Sequence, residues 1–325
     1  ILCVPTPVKS NYLPDLSYLE TAILSLLDVL HKENIIIIES TIPVGATGYL
    51  ASLVLEKRPD LDISNLHFAH CPERVLPGDT LNEIVNNDRI IGGLTNEATR
   101  KSSDFYRSFT RGRVVETSAK VAELSKLSEN TFRDVNIALA NELSMIADEF
   151  NINVDELIQL SNMHPRVNIH RPGLGVGGHC IPVDPWFIVS SLPNVSTLIK
   201  TSREVNMRKE KWVLNKVLKK IKEVDAKRIV LAGLTYKANL DDFRESPSLR
   251  LANRLSSETT LPIIGVDPYV DKINSRRDEY SFVLQKEFPH LKNTLIVLLI
   301  NHDQFFQNIK KSLLVDSNTL LNFTH

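Results

Sequence analysis

Between Ser118 and Asn151 the chain reads SAKVAELSKLSENTFRDVNIALANELSMIADEFN, with no glycine and no proline. Apolar residues recur at helical spacing along the whole stretch. At 1.5 Å per residue a continuous helix of that span measures about 50 Å. An ordinary sheet-covering helix is much shorter. The stretch is therefore expected to form a spine between domains or a contact surface for a second copy of the chain.

Residues 1–117 alternate strand and helix signals. LSYLETAILSLLDVLHKE (16–33) has helical apolar spacing with Asp15 placed to cap it, and VGATGYLASLVLEKR (44–58) is helical again. NIIIIEST (34–41) is an unbroken apolar run, the pattern of a parallel strand covered on both faces. LHFAHCPERV (66–75) and RIIGGL (89–94) read as further strands. The opening ILCVPTP reads as the last half of a strand running into a turn, so the chain is expected to begin inside a domain. After the long helix a second helical stretch is expected over 200–224, and at 228 the alternation returns. RIVLAGL is a strand, SPSLRLANRLSSE (246–258) a helix, and LPIIGVDPYV (261–270) and TLIVLLIN (294–301) are strands. The expected fold is α/β. Two Rossmann-like doubly wound domains, 1–117 and 209–325, are joined by a helical domain, 118–208, with the long helix at its centre, and the first Rossmann-like domain is incomplete.

Composition excludes several classes. A net charge of −1 gives no global attraction to nucleic acid or to a membrane surface, and neither partner is expected. The longest apolar runs, such as TLIVLLI (294–300), are strand-length and well short of the roughly 20 residues of a transmembrane helix. Cys3, Cys71 and Cys180 are odd in number and far apart. That suits neither a disulfide framework nor a zinc site and fits a reducing cytoplasm, so no metal is expected.

PGLGVGGHCIPVDP (172–185) sets Cys180 among glycines. Gly173, Gly175 and Gly178 spell G-x-G-x-x-G, but a dinucleotide fingerprint follows a strand and opens a helix. Here NMHPRVNIHRP is a poor strand, and Pro182 and Pro185 fall where the first helical turns belong. A loop that approaches a substrate closely and presents Cys180 to it is a second reading. A turn around a buried structural thiol is a third. On the long helix Lys126, Asn130 and Asp134 stand at i, i+4 and i+8, near one face. They form either a solvated stripe or an ammonium and an amide aimed at an oxygen that turns negative during reaction. Glu73, in HCPERV, falls at the end of a strand, where ligands bind in open α/β sheets, or is a surface carboxylate. Lys237, Arg244 and Glu245 in GLTYKANLDDFRESP follow a strand and precede a helix. Cations there suit a phosphate, and a solvated charged loop reads the same way.

Together these stretches resemble the nucleotide-diphospho-sugar 6-dehydrogenases, the family that includes UDP-glucose and GDP-mannose dehydrogenases. ESTIPVG, CPERVLPG, AELSKLSENTFRDVNIALANE, HPRVN, PGLGVGGHCIPVDP, REVN, GLTYKANLDDFRESP and VDP carry the resemblance, in the family's order, over nearly the whole chain. HCPERVLPG, NDRIIGG, HPRVNI and GVGGHCIPVDPWFIV most resemble the branch that oxidises UDP-N-acetyl-D-mannosamine. The resemblance implies that 1–117 is the C-terminal part of an NAD-binding domain, 118–208 a central dimerisation domain and 209–325 a UDP-sugar-binding domain. It also implies a cytoplasmic homodimer or larger homo-oligomer that serves surface-polysaccharide synthesis.

It implies NAD as cofactor and two successive oxidations of the sugar's C6 alcohol. Cys180 is then the nucleophile that holds C6 as a thiohemiacetal and afterwards as a thioester. By the same resemblance Lys126 and Asn130 stabilise the oxyanion, and Asp184 handles the proton through water. Glu73 is the base for thioester hydrolysis, with Thr41 near the same water. Thr6, Pro7, Thr41 and Arg244 are expected at the cofactor. Arg74, His164, Gly177, His179, Asn206 and Lys237 are expected at the substrate, and Arg166 at that of a neighbouring subunit. In the family the glycine fingerprint lies upstream of the strand that matches ILCVPTP, so the chain as written is expected to bind NAD poorly and not to turn over.

Two other classes compete. A β-hydroxyacid dehydrogenase shares the α/β-plus-long-helix plan but needs neither Cys180 nor the second α/β region. A non-catalytic sugar-nucleotide-binding protein has no need of Cys180, Lys126, Asn130, Asp184 and Glu73 together. Dehydrogenases of UDP-N-acetylglucosamine and UDP-N-acetylgalactosamine share much of the pattern.

Overall fold

The computed structural model describes residues 1–75, 79–273, 280–289, 292–305 and 318–324, so the last three residues of CPERVLPG lie outside the described residues. The chain divides into two compact units, Ile1–Phe132 with Val183–Lys200, and Arg133–Pro182 with Thr201–His325.

In the first unit β1 (Ile35–Ile38), β2 (His67–His70), β3 (Arg89–Gly93) and β4 (Val114–Ser118) lie in that order across one sheet. Helices α1 (Ser17–Leu24), α2 (Ala46–Lys57), α3 (Thr80–Asn86) and α4 (Asn96–Arg107) intervene. The pairs β1–β2 and β3–β4 are parallel, but β2 and β3 run antiparallel, with Ala69 opposite Gly93. The α/β alternation here therefore builds a mixed sheet. Cover on both faces explains the isoleucine run of β1. Ile36 and Ile38 pack with Leu19, Ile23, Leu50 and Val54 of α1 and α2, while Ile37 packs with Ile91 and Tyr106 on the other face. Each such burial contributes roughly 1.5–3 kcal/mol.

ILCVPTP does not form a strand. Leu2 alone makes a parallel bridge to Ile38, and Ser40 Oγ accepts the Val4 N–H at 2.8 Å. The helix expected over 16–33 stops at Leu24 and resumes only as a 3-10 turn at Leu27–Val29. Arg58 makes the break tolerable, since its guanidinium donates to the carbonyls of Leu27 and Leu30. Asp15 accepts the N–H of Ser17 in the first turn of α1 at 3.1 Å.

The long helix is present as α5 (Ala119–Glu149). Its first turns belong to the first unit and the rest to the second. Two short helices that the periodicity did not reveal follow it. Helix α6 (Val154–Ser161) is capped by Asn153, whose Oδ1 accepts the N–H groups of Asp155 and Glu156. Helix α7 (Asp184–Ser191) carries Pro185 in its first turn, where a missing N–H loses no intrahelical bond.

The second unit contains α8 (Thr197–Glu223) from Thr201 onward, β5 (Arg228–Ala232), α9 (Pro247–Glu258), β6 (Ile263–Val266), β7 (Val283–Gln285), β8 (Thr294–Leu298) and β9 (Thr319–Asn322). All its strand pairs are parallel, in the order β7-β6-β5-β8-β9. The chain thus lays strands outward from β5 to one side, then returns to lay them on the other. Such a doubly wound sheet leaves a crevice at the carboxyl ends of its strands, where the winding reverses between β5 and β8. Ile229 and Leu231 face Val213, Val217, Leu251 and Leu255 of α8 and α9. Val230, Ala232, Ile296 and Leu298 face the opposite way, with Phe305. No helix among the described residues is long and apolar enough to cross a membrane.

Candidate active site

The first unit gathers Lys126, Asn130 and Asp184. Lys126 and Asn130 stand one turn apart on α5, and Asp184 opens α7. Asn130 Nδ2 donates to Asp184 Oδ2 at 2.5 Å, and both side chains are buried. Burial pushes the Asp184 carboxyl up to about 6, against the opposing pull of the Asn130 bond and the Lys126 charge. At the end of β2, fully buried His70 is pushed down to about 4, chiefly by burial, with the Lys126 charge adding to the effect. A neutral imidazole and a carboxyl titrating near neutrality thus both feel the Lys126 charge. A carboxyl poised in that range is suited to passing protons.

Glu73 lies just past the carboxyl end of β2. Its Oε1 accepts the N–H groups of Arg74 and Val75, each at 2.6 Å, and its Oε2 is 3.6 Å from Arg89 Nη1. Arg89 is buried at the start of β3, where it also lies 3.9 Å from Glu39, which accepts the Tyr106 hydroxyl. Arg74 is engaged with Glu129 at 2.6 Å. Thr6 Oγ1 donates to the Thr41 carbonyl at 2.6 Å, and the exposed Pro7 offers its carbonyl to Asp15. The start of α2 is held by Glu123 on α5. Its fully buried carboxylate accepts from Gly45 N at 2.6 Å, Thr47 N at 2.9 Å and Thr47 Oγ1 at 2.6 Å.

In the second unit the loop 172–182 follows no strand, and no helix opens before Asp184. The dinucleotide-fingerprint reading of its glycines therefore fails. Their role is close approach. A Cβ at Gly177 would meet Pro247 and Tyr236 at 2.7 Å, and Gly178 has a φ of +82°. Gly173 N donates to Asn141 Oδ1 at 2.9 Å. Asn141 donates in turn to Asn206, and Asn206 to Asp134, which also binds Arg203 at 2.5 Å. Asn206 therefore uses both its amide atoms inside the unit, behind the loop. Cys180 is exposed and not in a disulfide. The other two thiols are poor thiolates: burial pushes Cys71 up to about 12, and partial burial beside the Glu39 carboxylate pushes Cys3 up to about 11.

A cleft of about 440 Å³ opens at the carboxyl ends of β5, β8 and β9. Its lining includes Gly173 and Gly175 from the loop, Tyr236, Lys237, Ser248 and Asn301. Lys237 is exposed there. Arg244 is bound side-on by Asp242, with Nη2 at 2.6 Å from Oδ2, and stays 68% exposed. His179 is exposed on the Cys180 loop. His164 and Arg166 are exposed on a separate turn, where Arg166 N donates to His164 Nδ1 at 3.3 Å.

Sequence reading missed Glu123, His70 and Arg89. Glu123 had a usable signal, lying three residues before Lys126 on the same helical face. Arg89 and His70 gave only that of single polar residues inside apolar strands.

The position of Asp184 yields a test with a definite sign. Its folded value, about 6, lies above the ordinary 3.8, so between these limits the folded state holds a proton that the unfolded state has lost. Stability therefore falls as pH rises through that window and stays depressed above it. Asp184→Asn should raise stability at pH 7 by up to about 3 kcal/mol and flatten the pH dependence of Tm between pH 4 and 6. Thermal melts at several pH values read both effects, and an unchanged profile contradicts the buried, poised carboxyl.

The chain matches known proteins along nearly its whole length. Models of the UDP-glucose/GDP-mannose dehydrogenase family match the NAD binding domain at residues 1–110, the central domain at 120–208 and the UDP binding domain at 230–322. A UDP-N-acetyl-D-mannosamine dehydrogenase of Campylobacter jejuni is 44% identical over 319 residues, covering 94% of this chain and 78% of that protein. An NDP-N-acetyl-D-galactosaminuronic acid dehydrogenase of Ralstonia nicotianae is 45% identical over 312 residues, covering 94% and 74%. Among solved structures, the UDP-D-ManNAc dehydrogenase of Pyrococcus horikoshii superposes with a TM-score of 0.86 at 36% identity, covering 99% of this chain and 76% of that one. The chain belongs to the UDP-glucose/GDP-mannose dehydrogenase family, NAD-dependent oxidoreductases that act on nucleotide sugars.

Proposed function

We propose that the residues of this chain serve the oxidation of the C6 alcohol of UDP-N-acetyl-D-mannosamine to the uronate, in two steps and through a covalent bond to Cys180. The observation that carries the reading is the Cys180 loop itself. It lines the second unit's cleft with Gly173 and Gly175 and presents an exposed thiol a few residues further on. Residues 1–117 serve the cofactor, 118–208 the catalytic helix and subunit contact, and 209–325 the UDP moiety. In the cleft, Lys237 meets the diphosphate as a point charge.

Thr6 and Thr41 are tied together at the carboxyl ends of the Leu2 bridge and β1, the edge at which an α/β sheet receives its ligand. With Pro7 they fit the nicotinamide side of NAD, and Arg244 is assigned to its pyrophosphate. When bound, NAD accepts the hydride released from C6 in each oxidation. The chain's own groups do the rest. Asp184 takes the C6 hydroxyl proton through water. Cys180 Sγ adds to the aldehyde carbon, forming the C–S bond, and Lys126 and Asn130 stabilise the oxygen that becomes negative. The second oxidation leaves C6 as a thioester on Cys180. Glu73 takes a proton from the attacking water, the C–S bond breaks, and the uronate leaves as the thiolate is restored. Arg74, His164, His179 and Gly177 are assigned to the sugar nucleotide, and Asn206 supports the loop. A reducing compartment such as the cytoplasm suits a reaction that depends on a thiol.

The identity of the Ralstonia relative favours one second reading, the galacto-configured N-acetylhexosamine. A panel of UDP- and GDP-sugars, tested for NADH release on a full-length version, separates the two. UDP-N-acetyl-D-mannosamine should exceed UDP-glucose at least tenfold in kcat/KM, about 1.4 kcal/mol in transition-state discrimination. A preference for another sugar overturns the assigned substrate.

Cys180→Ser should yield no uronate, because the thioester cannot form. Uronate at the unmodified rate in that variant removes Cys180 from the mechanism.

Phe132, Leu139 and Ile146 recur every seventh residue along α5 and are 64%, 46% and 45% exposed, the spacing by which paired helices meet. We propose that this face contacts a second copy, with Arg166 reaching the neighbour's substrate. Light scattering should show a dimer or larger assembly that Leu139→Glu dissociates; a monomeric unmodified chain rules this out.

A further inference from the structure

We propose that the buried pair His302–Asp267 positions the substrate cleft, by clamping the backbone at Asn239 and so fixing where Tyr236 and Lys237 stand. The proposal rests on the reading of that cleft as the UDP-sugar site. Both residues of the pair are fully buried. Three strand ends converge on them: Asp267 follows β6, His302 lies past β8, and Thr235 lies past β5. Asp267 Oδ2 accepts the N–H groups of Leu234 at 2.7 Å and Thr235 at 3.2 Å.

The protonation of the imidazole follows from its neighbours. His302 Nδ1 is 3.0 Å from the backbone nitrogen of Asn239, which can only donate. Nδ1 is therefore bare, and the neutral ring carries its proton on Nε2. Nε2 lies 3.1 Å from Asp267 Oδ2 and 3.1 Å from Thr235 Oγ1. Tyr269 and Phe305 meet the ring edge-on, at centroid distances of 5.5 and 5.1 Å. The ring is thus fixed in tautomer and in orientation.

What it holds is the segment between β5 and the Arg244 region. Asn239 has a φ of +59°, a left-handed conformation that an L-residue keeps when its surroundings impose it. Its N–H goes to His302, and its Oδ1 accepts the N–H of Asp303 at 3.1 Å. Thr235 Oγ1 donates to the Lys237 carbonyl at 3.0 Å. The backbone is held at Thr235, Lys237 and Asn239, while Tyr236 and Lys237 line the cleft and neither His302 nor Asp267 does. The pair therefore acts through Lys237 and Tyr236 and is a positioning device.

Two substitutions separate the clamp from simple packing. His302→Gln keeps a polar group near the Nε2 position and loses the acceptor for Asn239. His302→Asn keeps an acceptor near the Nδ1 position and loses the link to Asp267. Calorimetric titration with UDP should show an affinity about tenfold weaker for His302→Gln and within about threefold of the unmodified chain for His302→Asn. Loss of packing alone lowers Tm in both and does not separate their affinities. Unmodified affinity in His302→Gln, or equal losses in the two variants, overturns the inference. If either variant fails to fold, amide exchange in the unmodified chain decides. An Asn239 amide that is protected, and more so with UDP, upholds the clamp, and one exchanging like an open loop overturns it. No UDP binding by the unmodified chain overturns the cleft reading and this inference with it, whereas binding that His302→Gln leaves intact overturns the inference alone.

Discussion

An uninterrupted helix spaces its side chains as a ruler does, and α5 uses that to carry a row of buried polar groups: Glu123, Asn130, Asp134, Asn141 and Ser144. Any of them buried without a partner would cost on the order of a few kcal/mol. Each is matched instead. Glu123 takes the first N–H groups of α2, Asn130 meets Asp184, and Asp134 meets Arg203 and Asn206. Asn141 reaches the glycine loop, and Ser144 accepts from Lys209, a lysine whose ammonium also lies 4.0 Å over the Trp212 ring. A proline within α5 would remove a helical hydrogen bond and kink the row, and a glycine would weaken it by roughly 1 kcal/mol.

The electrostatics of the first unit follow from burial more than from pairing. Lys126 is the positive charge that both His70 and Asp184 feel: at Asp184 desolvation outweighs its pull, and at His70 it adds to desolvation. The result is a neutral imidazole and a carboxyl held close to its titration point. Asp134 shows the same hierarchy: burial raises its carboxyl although Arg203 pulls the other way. At the edge of the sheet, two backbone N–H groups and a guanidinium surround Glu73.

Much of this was legible in the chain. The four isoleucines of β1 announced a strand covered on both faces, and the absence of breakers announced α5. Cys180 among its glycines and Lys126 with Asn130 at helical spacing stood out as local motifs, and their catalytic roles came from the family resemblance. What escaped notice depends on partners distant in sequence. The antiparallel step between β2 and β3 has no local signature. Pro185, read as a helix breaker, stands in the first turn of α7, where it is tolerated. The break after Leu24 is stabilised by Arg58, and the tautomer of His302 by a backbone nitrogen sixty-three residues earlier.

The strand order of the second unit governs how it is made. Synthesis delivers β5 before any of its neighbours, yet β5 ends at the centre of the sheet with apolar side chains on both faces. Helix α8, made just beforehand, can shelter Ile229 and Leu231 at once. On the other face Val230 and Ala232 meet Val266 of β6 next, but the second edge of β5 waits for β8, whose ladder joins Arg228 to Thr294. Closing so distant a contact is slow, and an open strand edge in the interval is a template for pairing with other chains. On the ribosome, the most hazardous part of this unit is therefore the strand that the finished protein hides best.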